Sequence, residues 1–540
     1  MPDKIQNQKV ISQGGLNTLN NYLTLSAENP GAAVRLQNFE SSLAGGYAKI
    51  KGYKKLDALN SLPGEGRVLG VWVFYNTTTM RDIYIAARKD VGTDTYKFYQ
   101  YALGIGWSAF TPGFTQNYTS TSGLVQAKRI RAEMFNHGDG NQIIFVDGVN
   151  FACVYNGSTW FQLKSTNTGG VSPGGDQLID APSVVTSFKN HIFVSGDADH
   201  PAVISHCAPS DITRWTSAAG AGQLIFGFEV VQIKPFRDEL YVFGKTNIKK
   251  IVIEGLDFVF KDVTNGLGCV ARDSVVELSG DLLFLSNDGI RPVAGTDKIN
   301  DVELGLLSGQ IQEIIDSVYS QFDLTFLNAV VIRNKSQFRY FISDDITEDS
   351  NSYGLIGSVR RNSDLTNRWE FGELVGIHAN CAWSGIVGTK EVVLHGGYDG
   401  VVYKQEEGNS FDGESIRTLY ATPYIDLDDT QYRKTMHELN VFLKSEGSFE
   451  LNISVHYDWG MNSAVNPANY AGTLNASITY DSGYTYGGPG SVYGGLDRTV
   501  FTQPIQGSGY SVQYVFSSQG DDASFTIHGF VHEFSVQGRQ

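Results

Sequence analysis

Residues 281–296 read DLLFLSNDGIRPVAGT. The apolar residues 282–285 lead into Asn287-Asp288-Gly289, which are the residue types that supply the positive-φ positions of a tight turn. A second short apolar run, residues 290–293, follows directly. The stretch therefore predicts a β-hairpin, an antiparallel unit closed on itself, rather than half of a βαβ crossover.

Similar units recur along the chain. Asp147-Gly148 and Asn156-Gly157 separate short apolar runs, and Asp399-Gly400 lies in a second strand, turn and strand pattern. We predict about six such sheets between residues 66 and 410, spaced roughly 45 to 70 residues apart. A series of small antiparallel sheets is typical of a β-propeller, because radial repetition leaves only short protected edges. The irregular period keeps an array of sandwiches open as an alternative.

The composition also favours a mainly β fold. The 540 residues include 60 Gly, 27 Tyr and 31 Phe, against 14 Pro and 5 Met. Aromatic residues suit pleated surfaces, and glycine suits the turns between short strands. A chain of this length divides into roughly two to four domains.

The remainder of the body and the C-terminal part have their own patterns. One helical excursion is predicted near residues 301–322, where Ser308 can act as the N-cap of an amphipathic segment. From residue 411 to 540 the strands alternate apolar and polar residues, which predicts an antiparallel β-sandwich. The sandwich carries a Gly/Tyr-rich insertion at residues 458–509. That insertion is either a surface loop or a contact surface, and the candidate loop contacts are Tyr484, Tyr486 and Tyr493.

Residues 1–65 form a third segment with irregular, glycine-rich sequence. It is either a leading strand and loop packed on the main body or an extended N-terminal arm that docks on a neighbour. On the second interpretation, deleting residues 1–40 leaves the body folded and abolishes attachment. The candidate assembly contacts are Gly14, Gly15, Leu16, Arg35, Asn38, Phe39, Gly45, Gly46 and Tyr47.

Charge and motif content narrow the functional classes. The net charge of −16 gives the chain no general electrostatic attraction to phosphate. Tight, sequence-specific DNA binding is therefore not expected, and a local basic patch stays open as an alternative. The four cysteines are widely separated, which predicts reduced, buried thiols. No signal-sequence pattern or membrane span is expected. The acidic run at 426–429 and the His200, His206 and Cys207 group are weak candidates for metal ligands, so we predict no metal, no cofactor and no catalytic residue.

Several short motifs, taken in order, carry a family resemblance. They are GGLNT at 14–18, NFE at 38–40, GGY at 45–47, GY at 52–53, LLFLSNDGIRPVAGT at 282–296, GGYDGVVYK at 396–404 and IHGFVHEFSVQGR at 527–539. Together they resemble the tail nozzle proteins, also called tail tubular or hub proteins, of short-tailed bacteriophages, which include packaged-DNA stabilisation proteins.

The resemblance implies a non-enzymatic structural protein of the virion, assembled in the host cytoplasm. It implies a sixfold ring of identical subunits below the portal and adaptor proteins, in contact with tail fibres or other tail proteins. The channel of that ring holds the genome and then passes it, with transient, non-specific contact with DNA. A net acidic chain suits such a channel, because each neutralised phosphate adds affinity. The alternatives are a tail-associated glycan-degrading enzyme and a host-receptor-binding tail module.

Overall fold

The computed structural model describes residues 5–20, 22–110, 124–125, 129–165, 174–175, 177–255, 257–293, 305–343, 352–361, 367–427, 430–461, 464–474 and 498–537. The chain is mainly β, with 56% strand and 8% helix. Small antiparallel sheets form a propeller-like body, and the C-terminal strands form a sandwich. The predicted fold class is confirmed.

The hairpin at 281–296 shows how the body is built. Strands Asp281–Ser286 and Gly289–Pro292 pair antiparallel, and Ser286 lies opposite Gly289. Leu282 and Phe284 pack in one hydrophobic cluster with residues of the preceding sheet, such as Phe243. Leu283 and Leu285 pack in a different cluster on the other face. Because successive side chains of a strand point to opposite faces, an apolar run without alternation marks a strand that is buried on both sides.

The described residues form seven blades of this kind, numbered 1 to 7. Blades 1 to 5 are separate sheets, whereas blades 6 and 7 are parts of one 14-stranded sheet that also includes the second sheet of the sandwich. About six sheets were predicted, and the strands from residue 328 to residue 405 divide into blades 6 and 7. The strands are: blade 1, Glu65–Asn76, Arg81–Lys89, Thr95–Ala102, Gly106–Ala109 and Leu124–Val125; blade 2, Arg131–Asn136, Asn141–Val146, Cys153–Tyr155 and Trp160–Gln162; blade 3, Val184–Phe188, His191–Ser195, Val203–His206 and Gly222–Ile225; blade 4, Gln232–Phe236, Glu239–Phe243, Asn247–Glu254 and Asp257–Asn265; blade 5, Val276–Leu278, Asp281–Ser286 and Gly289–Pro292; blade 6, Asn328–Ile332, Gln337–Ser343, Ser352–Arg361 and Asn367–Leu374; blade 7, Ala379–Val387, Lys390–Gly397 and Val402–Gln405.

The ring of blades closes in two ways. The first strand of blade 7 contacts the first strand of blade 1, and a shared hydrophobic cluster fills the space between these blades. The N-terminal strand Tyr53–Lys55 pairs antiparallel with Val402–Gln405, so it supplies the fourth strand of blade 7. Residues from the two ends of the propeller sequence thus complete one sheet, which links the stability of the ring to the N-terminal segment.

The sandwich consists of two antiparallel sheets over one core. Met436, Leu439 and Val441 of one sheet share a hydrophobic cluster with Ile453 and Phe516 of the other. The first sheet contains Ile5–Ile11, Phe39–Ser41, Tyr47–Lys49, Lys434–Ser445, Arg498–Pro504, Ser508–Gly509 and Phe525–Val536, and the second contains Glu414–Ala421, Phe449–Tyr457, Tyr470–Leu474 and Val512–Gly520. One further small sheet contains the strands Lys164–Ser165, Gly174–Gly175 and Arg214–Trp215. The short strand Ser410–Phe411 pairs with Glu414–Ala421 and with Tyr53–Lys55.

The N-terminal segment connects the propeller to the sandwich. Strand Ile5–Ile11 pairs along its whole length with Phe525–Val536, near the end of the chain. Strand Arg35–Gln37 lies between the outer strand of blade 6 and Glu414–Ala421 of the sandwich. The described part of the segment is therefore packed on the main body. The expectation that residues 1–40 can be removed without loss of the fold does not agree with this arrangement, because the segment supplies strands to both sheets of the sandwich.

Helices are few. Gln312–Gln321 is an α-helix in the segment where one was predicted, and Ile315 and Val318 are buried against the blade 5 hairpin cluster. Ser308 does not cap it, because its Oγ accepts a hydrogen bond from the Ile290 N–H at 3.0 Å. The helix Tyr22–Glu28 was not predicted. The 3₁₀ turns are Ser217–Ala219, Arg272–Ser274, Gly309–Ile311, Leu324–Phe326, Arg333–Lys335 and Asp458–Gly460.

Two glycines with the same backbone conformation give a matched stability test. Gly15 has φ of +65°, and a Cβ there would lie 2.7 Å from the Phe371 backbone nitrogen. Gly92 has φ of +68° and open space around it. We expect Gly92→Ala to lower the free energy of unfolding by about 1 kcal/mol through strain alone. Gly15→Ala should lower it by about 3 kcal/mol, since the backbone must also shift. Chemical denaturation measures both, and equal losses would contradict the close packing at Gly15.

Candidate functional site

Most of the predicted assembly contacts lie at the junction between the N-terminal segment, blade 6 and the sandwich. Leu16, Phe39 and Tyr47 are buried, with exposed fractions of 1% or less. The Tyr47 hydroxyl accepts a hydrogen bond from the Gly15 N–H at 2.9 Å and donates one to the Gly31 carbonyl at 3.1 Å. These contacts are made within the chain, so they position the segment rather than offer a free surface.

The other predicted contacts are divided between the junction and the surface. The Gly14 N–H donates to Glu370 Oε1 at 2.7 Å. Asn38 has φ of +54°, and its Nδ2 donates to the Arg417 carbonyl at 2.8 Å. Arg35 is exposed. Tyr484, Tyr486 and Tyr493 lie outside the described residues.

Gly45 and Gly46 line an open groove on the outer face of the sandwich. The groove has a volume of about 540 Å³ and is mostly apolar. We call it the outer groove, and its other lining residues are Lys9, Val10, Ile11, Ala44, Arg360, Phe442, Leu443, Thr499, Val500, His528, Gly529, Phe530 and Val531.

The strand register explains the shape of the outer groove. Ile11, Gly529, Phe442 and Val500 lie opposite one another on four neighbouring strands. Ile11 is 45% exposed, Phe442 is 42% exposed and Val500 is 52% exposed. Gly529 has no side chain, so the row is lowered between Ile11 and Phe442. Side chains from the N-terminal segment and from the C-terminal sandwich therefore form one exposed apolar surface.

A second cavity lies where the seven blades meet, and we call it the axial cavity. Its volume is about 220 Å³. The first strands of the blades contribute most of its wall, which places it on the axis of the propeller. The lining residues are Gly70, Val71, Trp72, Arg129, Ile130, Arg131, Ala132, Glu133, Val185, Gln232, Lys234, Asp273, Val275, Asn328, Ala329, Cys381, Ala382 and Trp383.

The wall of the axial cavity is charged. Arg131 makes a bidentate pair with Asp273, with Nε to Oδ1 at 2.7 Å and a terminal nitrogen to Oδ2 at 2.6 Å. Arg129 binds the same Oδ2 at 2.7 Å and also donates to the Phe326 and Leu327 carbonyls. Burial raises the pKa of the Asp273 carboxyl, but Arg131 and Arg129 outweigh it and hold that pKa well below its usual value. Asp273 is therefore ionised and neutralises only one of the two arginines.

Lys234 and Arg272 add positive charge around the ion pair of Arg131 and Asp273. Lys234 lines the cavity, and no hydrogen bond or ion pair of its ammonium group is found within the described ranges. Arg272, next to Asp273, donates to the Val231 carbonyl at 2.8 Å and to Ser183 Oγ at 2.6 Å. Burial and the neighbouring Arg131 lower the pKa of Arg272 to about 10. Glu133 is the second carboxylate of the wall, and it accepts a hydrogen bond from Ser187 Oγ at 2.8 Å.

A separate space of about 440 Å³ shares one lining residue, Trp383, with the axial cavity. Tyr75, Met134 and Ile386 line it and are 41%, 41% and 72% exposed. The sequence signal for the axial cavity was the pair Arg129 and Arg131 in and beside the first strand of a blade, where apolar residues are the norm.

Other sequence candidates do not assemble into a site. The four cysteines are buried, as predicted, and burial raises the pKa of Cys207 to about 12. His206 packs among aromatic rings, with its centroid 4.9 Å from that of Phe258. Asp426 Oδ1 accepts a hydrogen bond from Ser26 Oγ at 2.9 Å. Within the ranges that the structure describes, no group of three His, Cys, Asp or Glu side chains could hold a metal ion. No helix in those ranges is long and apolar enough to cross a membrane.

The comparisons with known proteins name no family. No family model and no curated protein matches the chain. An exo-β-1,3-galactanase from Phanerochaete chrysosporium is 9% identical, covers 90% of this chain and 100% of its own, and has a TM-score of 0.24. The extracellular domain of a one-component system from B. thetaiotaomicron is 9% identical, covers 88% and 58%, and has a TM-score of 0.36. The Neurospora crassa Pan2 WD40 domain is 8% identical, covers 63% and 90%, and has a TM-score of 0.30. Similarities this low carry no functional argument.

Proposed function

We propose that the chain is a structural protein of a short-tailed phage tail, a nozzle or hub subunit that forms a ring below the portal and adaptor. The ring holds the packaged genome and provides the channel for its ejection. The observation that carries the proposal is the outer groove, an exposed apolar surface built jointly by the N-terminal segment and the C-terminal sandwich. The occupant we propose for it is a neighbouring copy of the same chain.

The physical argument for self-assembly has two steps. A partner that covers the exposed apolar side chains of the groove stabilises the complex by about 25 cal/mol for each Å² of apolar surface removed from water. A closed ring is the arrangement in which every copy offers the groove and also fills one, so no apolar surface is left at an end. The N-terminal segment stabilises the groove because its strand Ile5–Ile11 forms one wall.

The charge of the chain is compatible with a channel for DNA. A net charge of −16 gives no general attraction to phosphate, so a ring of such chains would let a duplex pass with little salt-dependent drag. The genome contact in this proposal is transient and non-specific. The proposal includes no catalytic step.

A single substitution in the outer groove tests the proposal. Val500→Asp places a charge at one end of the apolar row, on the most exposed of its side chains, and burying an unpaired carboxylate is strongly unfavourable. We expect the variant to fold, since Val500 is 52% exposed, but to assemble at least tenfold more weakly. The measurement is native mass spectrometry of the purified chain, alone and with the adaptor protein.

The matched control is Val91→Asp. Val91 is 67% exposed and lies in a turn of blade 1, away from the outer groove. It should leave assembly unchanged. Equal assembly of the two variants and the unmodified chain would exclude the outer groove as the subunit interface.

A further inference from the structure

Two turns at blade 1 carry three of the four most exposed large apolar side chains that the structure describes. Leu59 is 91% exposed, Leu103 is 90% exposed and Ile105 is 80% exposed, and the fourth is Val465 at 85%. Single exposed apolar side chains are common on protein surfaces and need no explanation. Three of them at one place indicate a surface that another molecule covers.

The three side chains belong to one projection. Leu103 and Ile105 lie in the turn between the third and fourth strands of blade 1. Leu59 lies in a turn that begins at Asp57, before the first strand of that blade. A Cβ on Gly106 would lie 2.9 Å from Asp57 Oδ2, so the two turns lie side by side. We call Leu59, Leu103 and Ile105 the apolar tip.

Hydrogen bonds fix both turns of the apolar tip. The Ile105 N–H donates to the Ala102 carbonyl at 3.0 Å. Asp57 Oδ1 accepts from the Leu59 N–H at 3.0 Å and from the Asn60 N–H at 3.1 Å. A partner that covers the tip therefore does not have to order these turns, which lowers the entropy cost of binding.

A ring of identical subunits needs a second surface besides the outer groove. Each subunit of a closed ring uses two different surfaces, and one of them must fill what the other offers. The outer groove is a recess, because Gly529 lowers the apolar row between Ile11 and Phe442. No residue of the apolar tip lines the groove, so one chain presents both surfaces at once.

The charges of the two surfaces are complementary in sign. The charged side chains that line the outer groove are Lys9 and Arg360, and the described residues of its lining include no carboxylate. The segments that carry the apolar tip, residues 56–62 and 101–107, contain one charged residue, Asp57. An apolar tip with a negative charge at its base matches an apolar groove lined by positive charge.

We propose that the apolar tip of one copy inserts into the outer groove of the next copy. Leu103 and Ile105 then pack on the exposed row that includes Phe442 and Val500. Every copy offers one tip and one groove, and the ring is closed when the last tip fills the first groove. The inference rests on the proposed ring, and it names the second surface of each subunit.

Two charged variants test the proposal by complementation. Leu103→Asp alters the tip and leaves the groove intact, whereas Val500→Asp does the reverse. Each variant alone should assemble about tenfold more weakly than the unmodified chain, because a carboxylate would be buried without a partner. An equimolar mixture should form a dimer of one copy of each variant and no ring, since one intact tip meets one intact groove. Native mass spectrometry measures all three samples.

The outcomes separate the pairing of tip and groove from the ring itself. If Leu103→Asp assembled like the unmodified chain while Val500→Asp did not, the pairing would be wrong and the ring would keep its support. If both variants assembled like the unmodified chain, the groove would be excluded as well. In every other case, absence of the mixed dimer would overturn the pairing.

Disulfide cross-linking tests the contact directly and also detects weak association. The four native cysteines are buried, so an introduced surface cysteine is the accessible thiol. Under mild oxidation, Leu103→Cys and Val500→Cys chains should form a mixed dimer about tenfold faster than Val91→Cys and Val500→Cys chains, because seating raises the local thiol concentration. Val91 is 67% exposed in another turn of blade 1, which makes it the matched control. Equal rates would overturn the pairing.

Discussion

Replacing Arg339 with methionine is expected to lower the free energy of unfolding by about 3–5 kcal/mol. Arg339 is fully buried in blade 6. Its terminal nitrogen lies 3.0 Å from Glu40 Oε2 in the N-terminal segment and 2.6 Å from Glu406 Oε1 beyond blade 7. The substitution leaves both carboxylates buried with Lys335 as their remaining cationic partner.

The size of this effect follows from the position of the two carboxylates. Burial raises the pKa of Glu406, but Arg339 and Lys335 outweigh it and hold that pKa below its usual value. Without the arginine, one carboxylate must bind a proton or remain uncompensated, and either outcome favours the unfolded chain. Gln337 and Gln405 also lose the hydrogen bonds that they make to the guanidinium group.

An exposed arginine gives the matched control for Arg339→Met. Arg214 is 70% exposed in its side chain and pairs with Asp211 at 3.3 Å. Arg214→Met should change the free energy of unfolding by at most about 0.5 kcal/mol, because surface pairs contribute little. Urea denaturation followed by tryptophan fluorescence measures both. A loss below about 1 kcal/mol for Arg339→Met would mean that the buried network does not stabilise the junction.

Deleting residues 1–40 is expected to prevent folding of the sandwich. The deletion removes the strand Ile5–Ile11 and the buried side chains of Leu16, Leu36 and Phe39. Each large apolar side chain contributes about 1.5–3 kcal/mol, so the summed loss approaches the whole stability of a typical domain. Limited proteolysis should then cut rapidly within residues 411–540. A truncated chain as resistant as the intact chain would contradict the packed N-terminal segment.

Two point substitutions test the packing of that segment. Phe39→Ala should lower the free energy of unfolding by about 3–5 kcal/mol, since Phe39 has no exposed surface. Arg35→Ala changes an exposed neighbour and should have an effect within about 0.5 kcal/mol. If the two losses were equal, the segment would not be part of the core.

Local patterns were enough to predict the repeated sheets. The turn at Asn287-Asp288-Gly289 and the apolar run before it determine a hairpin without help from distant residues. The helix at Gln312–Gln321 was predictable for the same reason, because its apolar residues recur at helical spacing.

The junction was not predictable in this way. Gly14 hydrogen-bonds to a residue 356 positions away, and Glu40 reaches Arg339 across 299 positions. Contacts between residues so far apart produce no periodic pattern in the sequence. The sequence therefore left two interpretations of residues 1–65 open, a segment packed on the main body and an arm that docks on a neighbour. The axial cavity was missed for a related reason: Arg129, Asp273 and Asn328 meet only after the ring of blades has closed.

Electron microscopy of the intact particle tests the central claim most directly. The proposed nozzle or hub role predicts that this chain forms a ring of six copies on the tail axis, directly below the portal and adaptor, with each outer groove facing a neighbouring copy. Finding the chain at the tips of the tail fibres, or as trimers away from the axis, would contradict that role.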